Sequence, residues 1–347
     1  IHRMPDLQYI ENVTDEIAKY IQPGQLISLE STTYPGTTEE VILPKLSATG
    51  LKVGEDFFLC HSPERVDPGN KRYTTQNTNK LVGGVTKECT KVAAAFYGET
   101  IIKVIKCSSP AIAEMAKVFE NTYRAVNIAL VNEMALLCDR MGISVWEMLD
   151  AAFTKPFGIQ PFYPGPGVGG HCIPVDPFYL AWKAREYDFS TRFIELAGEI
   201  NLSMPYFVVE KAERILGLQG KSLRGSNILA LGVTYKADSL DLRESPALKV
   251  IQLLIKEGCN VDYYDPYVQN VGVHLQEQGT QENKETIRLD SVHGLTPEII
   301  EKADLVIILT GHSAIDYELV VQSAKAVLDT GGVACDTSGG EGRVWAL

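Results

Sequence analysis

The sequence predicts an α/β protein with a strand–helix domain at each end and a helical region between them. Short apolar segments typical of buried strands alternate with amphipathic helical segments in the first 107 residues, and again after residue 226. Residues 110–141 instead form one long helical pattern, which begins at a proline and is followed by a glycine. This alternation indicates layered α/β domains, in which ligands bind beyond the carboxyl ends of the strands.

The composition is that of a soluble globular protein and argues against some partners. The 347 residues are enough for two or three domains, with 45% hydrophobic and 22% charged residues. The net charge of −12 argues against nucleic acids and anionic membrane surfaces. The 7 cysteines show no paired framework, which favours a reducing cytoplasm. We expect a cytoplasmic protein without a membrane span or a signal peptide.

The first domain is predicted to contain helices near residues 10–21 and 37–46. Its strands are expected at residues 25–31, 57–61, 80–84 and 100–106. Thr32 and Glu64 each follow one of these strands, so both are expected at the edge of the sheet where α/β proteins bind ligands.

A glycine-rich turn that would identify a dinucleotide-binding domain is missing. Such a domain opens with a strand that leads directly into a G-x-G-x-x-G turn, and no strand followed by such a turn is found in these 347 residues. Either the protein binds no dinucleotide, or the chain begins partway through that domain. The start at Ile1, without a methionine or a helix cap, favours the second alternative.

The centre of the chain is predicted to be helical. Besides the long helix, helices are expected at about 176–187 and 191–216. On the long helix Lys117, Asn121 and Arg124 share one face. This spacing suits a functional cluster and equally a solvated polar face. The helix is long enough to form a spine between two domains.

The last part of the chain is predicted to be a second strand–helix domain behind a linker at 217–225. Strands are expected at 226–233, 261–264 and 303–309, a helix at 247–257, and a polar surface loop at 269–290.

The loop 234–246 of this domain carries two cations at the carboxyl end of a strand. Lys236 and Arg243 have the side chains that suit phosphate groups. The alternative is an ion-paired loop, because three acidic residues are adjacent, namely Asp238, Asp241 and Glu244.

The most informative stretch is 164–178, in which a run of glycines and prolines precedes a single cysteine. Glycine lets the backbone approach a ligand closely. Cys172 can act as a thiolate nucleophile if a helix begins at Asp176, because a helix N-terminus lowers a thiol pKa. The alternatives are a tight turn with a buried cysteine and, less favoured, a metal site at His171 and Cys172, where the further ligands that zinc needs are missing.

Five segments, in the same order along the chain, resemble the UDP-sugar 6-dehydrogenase family. They are STTYPGTT (31–38), SPERVDPGN (62–70), EMAKVFENTYRAVNIALVNE (114–133), GPGVGGHCIPVDP (165–177) and TYKADSLDLRESPAL (234–248). The resemblance is greatest to the branch acting on N-acetylated sugars. It implies an α/β fold with two Rossmann-like doubly wound domains joined by a central long-helix region, the N-terminal domain being incomplete in this chain. The implied domains are an NAD-binding domain at 1–107, a central helical dimerisation domain with the cysteine loop at 108–216, and a UDP-binding domain at 217–347.

The resemblance also implies an activity. A UDP-N-acetylhexosamine, UDP-N-acetylglucosamine above others, is oxidised twice at its C6 hydroxyl with NAD, giving a uronic acid for polysaccharide precursors. A homodimer or larger homo-oligomer without a metal is expected. The alternatives are a UDP-glucose or UDP-N-acetylmannosamine 6-dehydrogenase and a non-catalytic UDP-sugar-binding protein. A further alternative is a related two-domain hydroxyacid dehydrogenase, but those enzymes use a lysine without a catalytic cysteine, so Cys172 discriminates against it.

The resemblance assigns roles to individual residues. Cys172 is implied to hold the intermediate as a thiohemiacetal and then a thioester, and Asp176 to assist the thiol or the hydrolytic water. Lys117 with Asn121 is implied to stabilise the oxyanion, while Glu64 orders water with Thr32 nearby. The implied substrate contacts are Glu64, Lys117, Asn121, Gly169 and Lys236, and the implied cofactor contacts are Thr32 and Arg243.

Overall fold

The structure is a computed structural model that describes residues 5–66, 72–170, 173–275, 286–335, 337–338, 340 and 342–347. It divides into two compact units. Unit 1 comprises Ile1–Arg124 and Val175–Glu195, and unit 2 comprises Ala125–Pro174 and Leu196–Leu347. The predicted division into three domains with separate roles stays a prediction.

Unit 1 is built on a four-stranded sheet in the order β1–β2–β3–β4. The strands are Leu26–Leu29 (β1), Phe58–His61 (β2), Lys80–Gly84 (β3) and Val104–Cys107 (β4). β1 and β2 are parallel, as are β3 and β4, whereas β2 and β3 are antiparallel. A parallel pair needs a crossover, usually a helix, and the described parts of the β2–β3 connection form only coil and turns.

Helices cover both faces of this sheet. They are Gln8–Tyr20 (α1), Leu43–Ser47 (α2) and Lys87–Gly98 (α3), with a π-helix at Thr38–Ile42 immediately before α2. One face packs a cluster that includes Leu46, Phe57 and Leu59, and the other packs Cys60 and Val82 against α3. The sheet therefore has an apolar core on each side.

Two details of unit 1 differ from the sequence predictions. The single helix expected at 37–46 is a π-helix followed by α2, because Pro44 has no N–H to continue the regular ladder. The strand expected at 100–106 begins only at Val104, since the amides of Thr100 and Ile101 bond back to the carbonyl of Tyr97 at the end of α3. α3 itself was not predicted.

The central helices are Pro110–Met141 (α4), Val145–Phe153 (α5), Asp176–Ala184 (α6) and Arg192–Leu218 (α7), with a 3₁₀ turn at Arg185–Tyr187 after α6. The prediction for α4 is confirmed at both ends. The helix expected at 176–187 is α6 together with the 3₁₀ turn, and α7 is confirmed within two residues. α5 was missed. No described helix is long and apolar enough to cross a membrane.

Unit 2 contains a five-stranded parallel sheet in the order β11–β10–β9–β5–β6. The strands are Asn227–Leu231 (β5), Asn260–Tyr264 (β6), Leu305–Ile308 (β9), Val327–Asp329 (β10) and Val344–Ala346 (β11). The helices are Pro246–Lys256 (α8), Pro297–Lys302 (α9) and Tyr317–Ser323 (α10). Alternate residues of β5 and β9 enter two separate apolar clusters, as expected of a parallel sheet covered on both faces.

The predicted surface loop at 269–290 is wrong for its two ends. Asn270–His274 (β7) and Thr286–Asp290 (β8) pair as an antiparallel ribbon. Val271 and Val273 are buried and alternate with the exposed residues Asn270, Gly272 and His274. Two apolar side chains are too weak a signal in the sequence to predict a strand. Residues 276–285 lie outside the described part of the chain.

Candidate functional site

The loop after β1 is fastened to the first turns of α4 by one buried carboxylate. Glu114 is 1% exposed and accepts hydrogen bonds from the backbone N–H groups of Gly36 (2.6 Å) and Thr38 (2.9 Å) and from the Thr38 hydroxyl (2.6 Å). Burial raises the pKa of Glu114, and the hydrogen bonds from the loop oppose that rise. The loop that carries Thr32 is therefore attached to α4 at Glu114, about one helical turn before Lys117.

Two of the predicted site residues meet directly. Asn121 on α4 and Asp176 at the start of α6 are both buried, and Asn121 Nδ2 donates to Asp176 Oδ2 over 2.6 Å. A carboxylate at a helix N-terminus is also favoured by the helix dipole. Lys117, one turn before Asn121 on α4, is half-buried. The α4–α6 contact thus collects an amide, a carboxylate and, nearby, an amine.

A buried lysine fastens the other end of α6. Lys183 Nζ forms ion pairs with Glu40 (2.8 Å) and Glu186 (2.7 Å), and lies 5.0 Å from the ring centroid of Tyr34. Burial alone would lower the pKa of Lys183, but hydrogen bonds to Glu186 and Glu40 raise it, so it stays charged. Sequence reasoning missed this pair because 143 residues separate Lys183 from Glu40.

Glu64 and Thr32 are not brought into the Asn121–Asp176 contact. Glu64 is exposed, and its Oε1 accepts hydrogen bonds from the backbone N–H groups of Arg65 (2.8 Å) and Val66 (2.7 Å). The segment is attached to α4 through the ion pair of Arg65 with Glu120, at 2.6 Å. Thr32 is half-buried in the loop after β1. The water-ordering role of Glu64 and the roles of Thr32 stay predictions.

A fully buried histidine at the end of β2 has no hydrogen-bond partner for either ring nitrogen in the described part of the chain. Burial, followed by the charge of Lys80, lowers the pKa of His61 to about 4. His61 is therefore neutral near pH 7. The sequence offered one signal for it, because His61 comes directly before the Ser62–Glu64 segment at a strand end.

The glycine loop of unit 2, residues 165–170, is packed tightly at its end, where Gly169 and Gly170 leave no room for a side chain. A Cβ at Gly169 would lie 2.5 Å from Tyr235 Cβ and 2.9 Å from the carbonyl oxygen of Glu244. The N–H of Gly170 donates to the carbonyl of Arg243 over 3.0 Å. The predicted close approach of this backbone is therefore made to the 234–246 loop of the same unit.

The predicted nucleophile Cys172 and its neighbour His171 lie outside the described residues, so the role of Cys172 stays a prediction. Within the described ranges, no three His, Cys, Asp or Glu side chains are grouped as metal ligands.

The two cations of the 234–246 loop have different surroundings. Arg243 is exposed and pairs with Asp241, with Nη2 at 2.6 Å and Nε at 3.0 Å from carboxylate oxygens. Lys236 is half-buried, and its carbonyl accepts hydrogen bonds from the hydroxyls of Thr234 and Ser239. The ion pair of Arg243 with Asp241 agrees with the alternative of an ion-paired loop. The ligand contacts predicted for both cations stay predictions.

A buried histidine–aspartate pair, which the sequence analysis missed, joins the loops that follow β5, β6 and β9. His312 Nε2 lies 3.0 Å from Asp265 Oδ2, and His312 Nδ1 accepts the backbone N–H of Asp238 over 3.0 Å. Although burial raises the pKa of Asp265, hydrogen bonds from His312 and from the Val233 N–H lower it overall. Asp265 directly follows a predicted strand, so the strand-end rule that selected Thr32 could have selected it.

Three family models match successive parts of this chain. All three describe the UDP-glucose/GDP-mannose dehydrogenase family, with the NAD binding domain at residues 2–101, the central domain at 111–203 and the UDP binding domain at 229–338. The sequence is also 35% identical over 354 residues to Protein CapL of Staphylococcus aureus, covering 100% of this chain and 80% of that protein.

The chain belongs to the UDP-glucose/GDP-mannose dehydrogenase family. It is 38% identical to the UDP-N-acetyl-D-glucosamine 6-dehydrogenase of Pseudomonas aeruginosa over 77% of this chain, and it spans 63% of that relative's length. A solved structure of UDP-D-ManNAc dehydrogenase from Pyrococcus horikoshii superposes with a TM-score of 0.81 at 32% identity, covering 94% of this chain and 73% of that one. The family resemblance and the α/β fold class predicted from the sequence are confirmed. The match of residues 2–101 to an NAD binding domain also confirms the predicted cofactor, NAD.

The residues present fit part of a dinucleotide site. The loop with Thr32 follows β1 at the carboxyl edge of the sheet, and the neighbouring Thr33 has a buried hydroxyl without a hydrogen-bond partner among the described residues. Such a hydroxyl can bond to a bound ligand. A G-x-G-x-x-G turn directly after a strand, which would hold a pyrophosphate, does not occur in these 347 residues, because the one match to that spacing, at 165–170, follows coil.

Proposed function

We propose that this protein is an NAD-dependent UDP-sugar 6-dehydrogenase that oxidises a UDP-N-acetylhexosamine, UDP-N-acetylglucosamine first, to the corresponding uronic acid. The observation that carries the proposal is the buried hydrogen bond between Asn121 and Asp176. It joins the helix that bears Lys117 to the helix that begins four residues after Cys172. The name of the Pseudomonas aeruginosa relative supports the N-acetylglucosamine substrate.

The proposed reaction removes four electrons from the C6 carbon. When bound, NAD accepts a hydride from that carbon, and two such transfers are needed to convert the alcohol to a carboxylate. The first leaves an aldehyde, and the hydroxyl proton passes to a base. The thiol of Cys172 then adds to the aldehyde, with its sulfur bonded to C6 and its proton transferred to the oxygen, to form a thiohemiacetal. Covalent attachment retains the aldehyde until the second oxidation.

The second oxidation leaves a thioester, which water must cleave. Water adds to the thioester carbonyl, the C–S bond breaks, and the products are the carboxylate, the free thiol of Cys172 and one proton, which passes to the base. Lys117 and Asn121 have the charge and the amide donor that stabilise an oxyanion at this carbon. Asp176, buried and oriented by Asn121, is the proposed base for the thiol or the water.

The mannosamine epimer is a second candidate substrate. The UDP-N-acetyl-D-mannosamine dehydrogenase of Methanocaldococcus jannaschii is 37% identical over 88% of this chain. The Pyrococcus horikoshii structure has the same substrate in its name. The two sugars differ only in the configuration at C2, so the same chemistry at C6 serves either.

We also propose a homodimer, or a larger homo-oligomer, in the cytoplasm. α4 exposes large apolar side chains at regular helical spacing, and these are Met115, Phe119, Tyr123, Leu130 and Leu137. A series of this kind on one helix suits burial against a second copy. The described cysteines are free, which agrees with a reducing compartment. Analytical ultracentrifugation tests the dimer, which a monomer at micromolar concentration would contradict.

The decisive experiment combines a substrate panel with one variant. NADH formation by the whole protein is measured over UDP-N-acetylglucosamine, UDP-N-acetylmannosamine and UDP-glucose, with about two NADH expected per uronic acid. Cys172→Ser is expected to abolish acid formation while UDP-sugar binding is retained, because a serine alkoxide is far harder to form than a thiolate. Acid formation by this variant at the wild-type rate would rule out the thioester route, and binding without any turnover by the wild type would favour a UDP-sugar-binding protein.

A further inference from the structure

Two buried asparagines connect the glycine loop to the helices of unit 2. Asn132 on α4 is 0% exposed and Asn201 on α7 is 9% exposed. The N–H of Gly165 donates to Asn132 Oδ1 over 3.0 Å, Asn132 Nδ2 donates to Asn201 Oδ1 over 2.9 Å, and Asn201 Nδ2 donates to the carbonyl of Ala125 over 3.1 Å. The side-chain amides thus form a continuous chain of hydrogen bonds from a loop N–H to a helix carbonyl.

The backbone groups at the two ends of this series of hydrogen bonds determine which way each side-chain amide is turned. A backbone N–H only donates, so the oxygen of Asn132 must face Gly165 and its NH₂ must face Asn201. A backbone carbonyl only accepts, so the NH₂ of Asn201 must face Ala125. Asparagine has the length and the paired donor and acceptor that both positions require. An aspartate at position 132 still accepts from Gly165, but it places a carboxylate oxygen against Asn201 Oδ1.

Asn132 holds the beginning of the glycine loop, and other contacts hold its middle and end. A Cβ on Gly167, whose φ is +135°, would lie 3.0 Å from Pro246 Cβ and 3.3 Å from the carbonyl of Asn201. At the end of the loop, Gly170 bonds to the carbonyl of Arg243. Glycine has no side chain to keep such a loop in place, so its backbone conformation depends on these external contacts.

We infer that Asn132, oriented by Asn201, is a positioning residue that holds the glycine loop, which precedes Cys172 in the chain, in the conformation that the proposed oxidation needs. Gly170 is only two residues before Cys172 in the chain. A shift at Gly165 therefore moves the segment that leads into the thiol. The inference rests on the proposed function for the role of Cys172, and on the hydrogen bonds of unit 2 for the rest.

Asn132→Asp in the whole protein tests this inference. We expect kcat to fall by about tenfold to a hundredfold, because displacements near 1 Å have effects of that size, while the KM for UDP-sugar and the Kd for UDP change by less than about threefold. The rate of Cys172 alkylation by iodoacetamide, followed by peptide mass spectrometry without substrate, is expected to change in the same variant. Asn201→Ala, which preserves the bond to Gly165, is expected to have a smaller effect in the same direction.

Asn260→Asp is the matched control. Asn260 and Asn227 form an exposed amide pair in unit 2, hydrogen-bonded at 3.1 Å. They are the first residues of β6 and β5, whereas the glycine loop bonds to the loop that follows β5. This control is expected to leave kcat and the alkylation rate unchanged. Thermal melts of every variant show whether a loss of activity reflects unfolding.

Three results would overturn the inference. They are a folded Asn132→Asp protein with wild-type kcat and alkylation rate, a parallel loss of UDP affinity and kcat, or an effect equal to that of Asn260→Asp. If Asn132→Asp does not fold, the Asn201→Ala variant provides the test. An unchanged rate of Cys172 alkylation in Asn201→Ala would also overturn the inference. Failure of the wild type to form any uronic acid would reject the proposed function alone, since the alkylation comparison needs no turnover.

Discussion

The two units fasten the carboxyl edges of their sheets in different ways. In unit 1 the fastening groups include charged side chains, with Glu114 holding the loop after β1 and Lys183 holding Glu40. In unit 2 the glycine loop is held by neutral amides and close backbone packing, and the loops after β5, β6 and β9 are held by His312 with Asp265.

The contrast is clearest in the two fully buried histidines. His312 has a partner at each ring nitrogen, whereas His61 has none among the described residues. Burying an unpaired polar group opposes folding, and burying a charge opposes it more. We therefore expect unit 1 to carry the oxyanion donor Lys117 and the pH dependence, and unit 2 to carry the binding of UDP. Three measurements test this difference, and they follow from the largest expected effect to the smallest.

Lys117→Ala is expected to change the chemistry of the reaction far more than substrate binding. Loss of one oxyanion donor lowers kcat by roughly 10²–10³ in comparable sites, with little change in KM. Steady-state kinetics measure the two constants separately. Lys106→Ala, an exposed lysine of β4, serves as the control. A rise in KM at unchanged kcat would mean that Lys117 binds substrate and does not stabilise the oxyanion. It would then contradict the proposed difference in role between the two units.

Acid is expected to destabilise unit 1 through His61. Its pKa is about 4 in the folded protein against an ordinary 6.5, so the unfolded chain binds more protons between these values. Stability is complete above about pH 6.5, declines as the pH falls towards 4, and loses on the order of 3 kcal/mol in total.

Urea unfolding across this pH window measures the effect, with His61→Gln as the variant and the exposed His293→Gln as the matched control. The variant is expected to show a flatter pH dependence than the wild type, and the control to resemble the wild type. Identical slopes for the wild type and His61→Gln would mean that His61 is protonated in the folded state at no cost.

UDP alone is expected to stabilise the region from about residue 220 to 347. A ligand that binds only the folded state stabilises it by about 2.7 kcal/mol at a hundredfold excess over Kd. Thermal melts of the 347-residue chain measure this shift, and Lys236→Ala is expected to reduce it because the lysine is a predicted phosphate contact. NAD is expected to shift the midpoint much less. A shift with NAD and none with UDP would reverse the assignment of the two units.

Local signals in the sequence determined several of the helices and several strands. α4 was predicted at both ends because Pro110 and Gly142 are local signals, and Gly142 has the positive φ of +68° that a helix end of this kind requires. β3 was predicted exactly as it is observed, since a short apolar run flanked by polar residues needs no distant information. The family segments likewise depend on neighbouring residues, so the family and the fold class were accessible before any coordinates.

Only the tertiary structure decided which of those elements and side chains meet. The antiparallel β2–β3 pair and the β7–β8 ribbon depend on the path of the chain between strands. Glu114 finds its loop partners 76 and 78 residues away, and Asn132 finds Asn201 69 residues away. A buried polar group must be satisfied, but the sequence around it does not say by which distant donor or acceptor. That choice belongs to the folded chain, because hydrogen bonds require atoms within about 3 Å and correct direction, which only the packed backbone provides.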